Sequence, residues 1–244
     1  AGEKAGILKS GCPALIAHQE KAALDVIRDK ANSLKTPCQY AGEDWHYTPT
    51  DEGMTLVYNG QHISLPKPNL EGAHQYENAA LAAIAALELG LSVEAIKLGL
   101  TQVSWPARLQ RLEPLAGLSQ HDDIWLDGGH NPAAAKALAQ WGETWRKTHP
   151  DSEFHIISAM LNTKQAETYF SAFAELDMTL HTLNIPEEQN SLSAKELAQA
   201  AHKAGLSAQP QNSLQEALAL IPQSARVLIC GSLYLAGHVL SLYE

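Results

Sequence analysis

The sequence predicts an α/β fold whose second part forms an open, mainly parallel sheet covered by helices. From Arg108 onward, short apolar runs alternate with segments of helical periodicity, which is the rhythm of β–α–β units. Earlier in the chain, helix-like segments flank alternating strands that are separated by tight turn signals. Trp105-Pro106 breaks a helix between the two patterns. The sequence therefore predicts two domains, residues 1–105 and 106–244.

The first domain is predicted to contain a short strand, a pair of hairpin signals and several helices. Asp51-Glu52-Gly53 and Asn59-Gly60 are the two turn signals between alternating runs. Gly90 ends one helix, and Ser92 is a suitable N-cap for the next. The strands are predicted near residues 13–17, 45–48, 54–58 and 62–65, and the helices near residues 20–33, 75–89 and 93–102.

The second domain is predicted to alternate strands and helices to its end, which favours parallel strands joined by helical crossovers. The strands are predicted near residues 110–115, 123–126, 153–159, 178–183 and 226–230, and the helices near residues 133–148, 163–176, 194–204, 214–221 and 233–242.

Composition narrows the range of functions. The 244 residues carry a net charge of −10, so the chain has no global attraction for the phosphate backbone, and we expect no nucleic-acid partner. An anionic ligand would need locally placed cations. No segment resembles a signal peptide or a membrane span. The three cysteines lack metal-site spacing and indicate free thiols in a reducing compartment, so we expect a cytoplasmic protein without a membrane partner.

The strongest candidate site is the turn from Asp127 to Pro132. A short buried-type strand precedes Asp127, Gly128-Gly129 permits a tight turn, and Asn131 and Pro132 suit the start of a helix. Ligands of open α/β sheets bind outside the carboxyl ends of the strands, where a carboxylate can accept hydrogen bonds from a ribose or orient a cation. The alternative is a strand-to-helix turn with a purely structural role, in which His130 caps or packs.

The Asp127-x-x-His130-Asn131-Pro132 signature resembles that of the folylpolyglutamate synthase/dihydrofolate synthase family, and the muramyl ligases have a similar one. The resemblance implies that residues 1–105 are the C-terminal part of a Mur-ligase-type central ATPase domain. It implies that residues 106–244 are a Rossmann-like C-terminal ligase domain with a mainly parallel sheet. By the same resemblance, Asp127 binds ATP and His130 lies near the nucleotide, as a candidate catalytic residue without an assigned role.

Glu3-Lys4-Ala5-Gly6-Ile7 resembles a motif of the folate branch in which the lysine is carbamylated and helps to hold Mg²⁺. The resemblance makes Lys4 a candidate catalytic residue and metal ligand. Carbamylation would convert the ammonium group into an oxygen anion, the ligand type that Mg²⁺ prefers. Without the modification, Lys4 would be an ordinary surface lysine.

Two further segments resemble ATP-binding motifs of the folate branch. Gly72-Ala73-His74-Gln75-Tyr76-Glu77-Asn78-Ala79 implies that Asn78 contacts ATP, whereas the residue-level alternative is a polar residue that stabilises the first turn of a helix. Trp105-Pro106-Ala107-Arg108-Leu109-Gln110 implies that Arg108 reaches the ATP phosphates, for which a planar guanidinium is well suited. The alternative is a hinge arginine in a surface ion pair. Ala107 stands where the family usually has glycine.

Two weaker matches lie later in the chain. The segment 159–165 departs from the family pattern at Ala159 and Gln165, so Lys164 receives no assigned role. The segment 230–237 resembles the family's closing strand-to-helix turn, which we interpret as structural.

The resemblance implies an ATP-dependent ligase that adds L-glutamate to dihydropteroate or to a reduced folate, with Mg²⁺ and acting as a monomer. The sequence contains no Gly-x-x-x-x-Gly-Lys-[Ser/Thr] phosphate loop, which in the family precedes the Glu-Lys-Ala-Gly segment. We therefore expect a truncated gene, a partial product or one chain of a split protein, inactive alone. The alternatives are a non-catalytic nucleotide-binding module that needs a partner chain and a muramyl-type peptide ligase.

Overall fold

The computed structural model describes residues 1–114, 121–162 and 165–243. The chain folds as two compact units, Ala1–Ser104 and Trp105–Glu244. The boundary between them along the chain is one residue before the predicted one. None of the described helices is both long enough and apolar enough to cross a membrane.

The first unit combines a two-stranded parallel sheet, a three-stranded antiparallel sheet and four helices within its described residues. Strand β1 pairs with β2, and β3, β4 and β5 form a meander in that order. The elements are α1 (Gly2–Ala5), β1 (Ala14–Ile16), α2 (Lys21–Leu34), β2 (Cys38–Tyr40), β3 (Trp45–Thr50), β4 (Gly53–Tyr58), β5 (Gln61–Pro66), α3 (His74–Glu88) and α4 (Val93–Gln102).

Local signals account for most of the first unit. Asn59 and Gly60 both have positive φ, 49° and 73°, as the predicted tight turn between two antiparallel strands requires. The Ser92 side chain accepts a hydrogen bond from the Ala95 amide, which confirms the predicted N-cap of α4. The core lies between the meander and helices α3 and α4, and Trp45, Leu56 and Ile84 are buried there. The sequence did not predict α1 or β2, because neither short segment has a clear apolar pattern.

The second unit is built around a six-stranded sheet in the order β10-β9-β8-β11-β7-β6. All neighbouring strands are parallel except β6 and β7, which confirms the predicted mainly parallel α/β fold. The elements are β6 (Gln110–Leu112), β7 (Ile124–Leu126), α5 (Pro132–Thr148), β8 (Phe154–Ser158), α6 (Ala166–Ser171), β9 (Thr179–Thr182), α7 (Ala194–Lys203), β10 (Ala208–Pro210), α8 (Leu214–Ala219), β11 (Arg226–Cys230) and α9 (Leu233–Ser241).

Two predicted elements of the second unit differ from the structure. Helix α6 ends at Ser171, whereas the sequence predicted a helix to residue 176, because turns replace the last part of the helical pattern. The strand predicted over 110–115 is assigned only over 110–112, and residue 115 lies outside the described ranges. Strand β10 was missed because it is a three-residue edge strand that ends in proline.

Alternation along the central strands gives the sheet two buried faces. Ile156 and Leu228 belong to the core that includes residues of α5, α6 and α7, whereas Ile157 and Ile229 belong to the core that includes residues of α8 and α9. Because β7, β11 and β8 are parallel neighbours, their carboxyl ends meet at one edge of the sheet. The turns that follow these three strands form the candidate site.

A buried histidine pair on β8 and β9 makes stability depend on pH. The His155 Nδ1 atom lies 3.2 Å from His181 Nε2, and His155 Nε2 lies 2.8 Å from a Glu153 carboxylate oxygen. Burial, and secondarily the neighbouring His155, lowers the pKa of His181 from 6.5 to about 4. The unfolded chain therefore binds a proton at His181 at a higher pH than the folded chain does.

We expect the stabilising effect of neutral His181 to be complete above pH 6.5 and to be lost as the pH falls toward 4. One pKa unit corresponds to about 1.4 kcal/mol, so the free energy of unfolding should fall by about 3 kcal/mol over this interval. Urea unfolding at several pH values would measure the loss. His181→Gln should reduce the slope between pH 6.5 and 4, and a slope equal to that of the wild type would show that another group causes it.

Candidate functional site

Asp127 organises the turn that follows β7. Its backbone amide donates to the carbonyl of Ile229 on β11, at 2.9 Å, so the start of the turn is fixed to the neighbouring strand. Its carboxylate accepts a hydrogen bond at each oxygen, from the Gly129 amide at 2.7 Å and from the Leu109 amide at 2.9 Å. Hydrogen bonds to a carboxylate are stronger than those between neutral groups, so Asp127 joins two loops firmly.

The two glycines of the turn lie close to neighbouring side chains. A Cβ atom on Gly128 would lie 2.3 Å from Leu233 Cδ2, which is the end of an exposed side chain that can move aside. A Cβ atom on Gly129 would lie 2.7 Å from Asp127 Oδ1 and 2.8 Å from Ala134 Cβ, so Gly129 is the more restricted of the two. The Gly128-Gly129 pair therefore lets the turn fit closely between its neighbours.

Helix α5 begins directly after the turn, as the sequence predicted. The Asn131 side chain accepts a hydrogen bond from the Ala134 amide at 2.9 Å, and Pro132 is the first helical residue. The start of the helix is sufficient to explain why asparagine and proline occupy these two positions.

His130 lies between the turn and the helix and is half-buried. Its ring Nδ1 lies 3.2 Å from the Gly128 carbonyl oxygen. A carbonyl oxygen only accepts, so this contact assigns the proton of a neutral ring to Nδ1 and leaves Nε2 as an acceptor. The ring can therefore accept a proton or a hydrogen bond at Nε2.

The loop that carries Arg108 is attached to the Asp127 turn by its backbone. Besides the Leu109 amide bond to Asp127, the Ala107 carbonyl accepts a hydrogen bond from the Gly128 amide at 2.8 Å. Ala107 and Leu109 both have positive φ, 56° and 42°, whereas the side chain between them is exposed. Positive φ at residue 107 explains why glycine would suit that position. The structure thus brings Arg108, Asp127 and His130 into one site.

Lys4 and Asn78 lie in the first unit. Lys4 is an exposed residue of α1 at the margin of a cavity of about 520 Å³, which is lined mainly by apolar side chains such as Ile16 and Leu81. Asn78 is exposed and is the fifth residue of α3, one residue beyond the first turn. Its Nδ2 donates to the Oε1 atom of buried Gln75 in the first turn at 3.0 Å, so its structural contact is with the first turn and not within it.

The sequence reading missed an attachment between β1 and α3. Glu77 accepts hydrogen bonds from the backbone amide of His18 at 2.8 Å and from its ring at 2.6 Å. The two residues are 59 positions apart, so no local pattern relates them. The contact fixes the chain after β1 to the helix turn that carries Asn78.

The sequence reading also missed the layer beneath the Asp127 turn. The phenol of Tyr169 on α6 donates to the Gly129 carbonyl at 3.1 Å, and Cys230 is buried at the end of β11. Burial raises the pKa of the Cys230 thiol to about 12, so the thiol is protonated and unreactive at neutral pH. A tyrosine in a helix gives no sequence signal for such a contact. Lys164, which received no role, lies outside the described residues.

Residues 112–242 match the sequence model of the family described as "Dihydrofolate synthetase, C-terminal domain". The match therefore includes the Asp127 turn, Tyr169 and Cys230, and covers more than half of the chain.

Individual relatives extend the similarity to nearly the whole chain. The dihydrofolate synthase/folylpolyglutamate synthase of Bacillus subtilis is 28% identical over 98% of this chain and 56% of its own length. The structure of Escherichia coli FolC in complex with DHPP and ADP is 25% identical, with a TM-score of 0.81 over 99% of this chain and 55% of that one. A bifunctional folylpolyglutamate synthase/dihydrofolate synthase with Mn, AMPPNP and L-glutamate bound is 25% identical, with a TM-score of 0.79 over 99% and 55%. The chain thus spans little more than half the length of these relatives.

Proposed function

The chain belongs to the family of dihydrofolate synthetase C-terminal domains, and from this we propose that it is part of an ATP-dependent ligase. The ligase joins the amino group of L-glutamate to dihydropteroate, to the γ-carboxylate of a reduced folate, or to both. Two relatives support these substrates, since one was solved with DHPP and ADP and another with AMPPNP and L-glutamate.

One observation carries the proposal. The Asp127 carboxylate binds the backbone of the Arg108 loop and of its own turn, so a cation and the start of α5 are held beside one sheet edge. Open α/β sheets bind ligands at this edge. Arg108 is exposed beside this edge, and in a chain with a net charge of −10 such a local cation supports binding of a nucleotide phosphate.

The chemistry requires two steps. A carboxylate oxygen of the folate substrate attacks the γ-phosphorus of ATP, and ADP leaves as an acyl phosphate forms. The glutamate amine then attacks the acyl carbon, loses a proton, and expels phosphate as the amide forms. The protein contributes mainly positioning and electrostatic stabilisation of the transferring phosphoryl group.

The side chains receive separate roles in this proposal. Arg108 donates hydrogen bonds to the ATP phosphates, and Asn78 is a further contact of ATP. Asp127 acts mainly as a positioning residue for the Arg108 loop, because both of its oxygens accept backbone hydrogen bonds. The Nε2 atom of His130 accepts a hydrogen bond or a proton from a group of the bound substrates.

The described residues do not form a complete Mg²⁺ site. No group of three or more His, Cys, Asp or Glu side chains in ranges 1–114, 121–162 and 165–243 is arranged to hold a metal ion. Lys4 alone, even as a carbamate, would supply one ligand group, whereas Mg²⁺ requires near-octahedral coordination. We therefore infer that Lys4 adds to ligands that come from outside the described residues.

We further propose that the first unit is part of the central ATPase domain and that the second is the ligase domain. Turnover then needs a phosphate loop, which this sequence lacks. We propose a cytoplasmic, monomeric enzyme once that loop is supplied.

The test is glutamate-dependent release of ADP by the chain joined to a phosphate-loop region of a relative. We expect continuous release over many turnovers with dihydropteroate, with a reduced folate, or with both, and no continuous release when glutamate is omitted. Absence of release with both substrates, or release with a UDP-muramyl substrate instead, would reject the proposal.

A second candidate is a nucleotide-binding module without catalysis of its own, which the exposed Arg108 beside the sheet edge would also support. It predicts no ATP hydrolysis by the 244-residue chain and nucleotide-dependent association with a separate phosphate-loop chain. Calorimetry with ATP and Mg²⁺ on the isolated chain tests it. Binding tight enough to saturate at micromolar nucleotide would favour this module, whereas we expect weak binding at best.

A further inference from the structure

The Gly129 carbonyl oxygen is a meeting point of three segments. It accepts hydrogen bonds from the Tyr169 phenol on α6 and from the Gly231 amide after β11, each at 3.1 Å. Gly129 itself belongs to the turn after β7. A single oxygen therefore connects the turn to two neighbouring elements.

The direction of this carbonyl determines the direction of the next amide. The Gly129 carbonyl and the His130 N–H belong to one planar trans peptide and point in opposite directions. Since the carbonyl points toward Tyr169 in the interior, the His130 N–H points away from it. The backbone at His130 is therefore oriented by a contact on its buried side.

The phenol of Tyr169 is well suited to hold that orientation. The ring is fully buried and packs against Phe170 and Phe173, with ring centroids 5.6 Å apart in each case. Burial, together with Cys230 and the Asp127 charge, raises the pKa of Tyr169 well above its ordinary value. The hydroxyl therefore remains protonated at neutral pH and remains a donor.

We propose that Tyr169 is a positioning residue of the ligase site, which acts by holding the Gly129–His130 peptide and so the orientation of His130. This inference rests on the proposed function for its kinetic consequence. It assigns a role to a residue that does not touch the substrates and that no motif indicates. The role is conformational, since the phenol keeps its proton.

Tyr169→Phe in the assembled ligase tests the kinetic consequence, because it removes only the hydroxyl. We expect the KM for ATP to rise about 5- to 10-fold, as expected for loss of one hydrogen bond of about 1–1.5 kcal/mol, while kcat falls less than about threefold. Phe173→Leu is the matched control, since it disturbs the same core without reaching the turn. It should lower the melting temperature and leave the KM for ATP unchanged. Equal effects of the two variants on KM would overturn the proposal.

Amide NMR on the 244-residue chain tests the positioning without any turnover. Tyr169→Phe should shift the amide resonances of Gly129, His130 and Gly231 and speed exchange of the Gly231 amide about tenfold, whereas Phe173→Leu should change these three amides much less. Unchanged resonances in Tyr169→Phe would overturn the inference even if the ligase is active. If the assembled wild type shows no turnover, the proposed function fails, and the three amides still decide whether Tyr169 holds the turn.

Discussion

Replacing Arg108 by alanine is expected to lower kcat/KM of the assembled ligase about 10²- to 10³-fold, the range found when one preorganised donor to a developing charge is removed. The guanidinium is exposed, and its loop is held through the backbone of Ala107 and Leu109. The substitution therefore removes the cation without removing the contacts that place it. The free energy of unfolding should change by less than about 0.5 kcal/mol, as for other exposed positions.

Arg111→Ala is the matched control for this loss. Arg111 is also exposed, lies on β6, and donates to the Asp122 carbonyl at 2.7 Å rather than facing the turn. Arg111→Ala removes the same charge as Arg108→Ala. If the position of Arg108 determines the effect, kcat/KM of Arg111→Ala should stay within about twofold of the wild type. Arg108→Lys should recover only part of the activity, because an ammonium lacks the planar fork. Equal losses in Arg108→Ala and Arg111→Ala would show that only net charge is involved.

A large loss of stability is expected for Gly231→Ala. The added Cβ would lie 2.5 Å from Ser158 Oγ and 2.7 Å from the Ala159 carbonyl oxygen, and Gly231 has a φ of +110°. Backbone strain and overpacking together should lower the free energy of unfolding by about 3–5 kcal/mol. Chemical denaturation of the 244-residue chain measures the change.

Gly237→Ala is the control, because Gly237 lies in α9, the helix that follows Gly231. No atom lies within 4 Å of a Cβ at Gly237, and the residue is exposed within α9. Because alanine favours a helix by about 1 kcal/mol over glycine, this variant should be as stable as the wild type or more so. A Gly231→Ala chain as stable as Gly237→Ala would contradict the packing of β8 against the β11–α9 turn.

The predictable part of the fold is the part that is encoded locally. The Asn59-Gly60 turn, the Ser92 cap and the start of α5 at Asn131 each depend on residues a few positions apart, and each was predicted. Strands β2 and β10 were missed because neither contains an apolar run such as the one in β7. Their strand conformation depends on pairing with β1 and β9, which are distant in sequence.

The candidate site shows the same division. The motifs gave the order of Arg108 and Asp127 along the chain. They did not explain why the loops that carry these residues lie together. The reason is a hydrogen bond between a carboxylate and the Leu109 amide, 18 positions apart. The Tyr169 contact with Gly129 spans 40 positions and has no sequence signature. Both contacts arise because α6 and the Arg108 loop pack at the carboxyl edge of the sheet. Local sequence does not specify this packing.

Transfer of oxygen from the substrate carboxylate to phosphate tests the central claim most directly. The assembled ligase would be given ATP, L-glutamate and a folate substrate labelled with ¹⁸O in the reacting carboxylate, and the released nucleotide and phosphate would be analysed by mass spectrometry. We expect ADP without label and inorganic phosphate that carries one ¹⁸O atom from the carboxylate, because that oxygen bridges carbon and phosphorus in the acyl phosphate. Label in AMP, or phosphate without label while the amide forms, would contradict the claim.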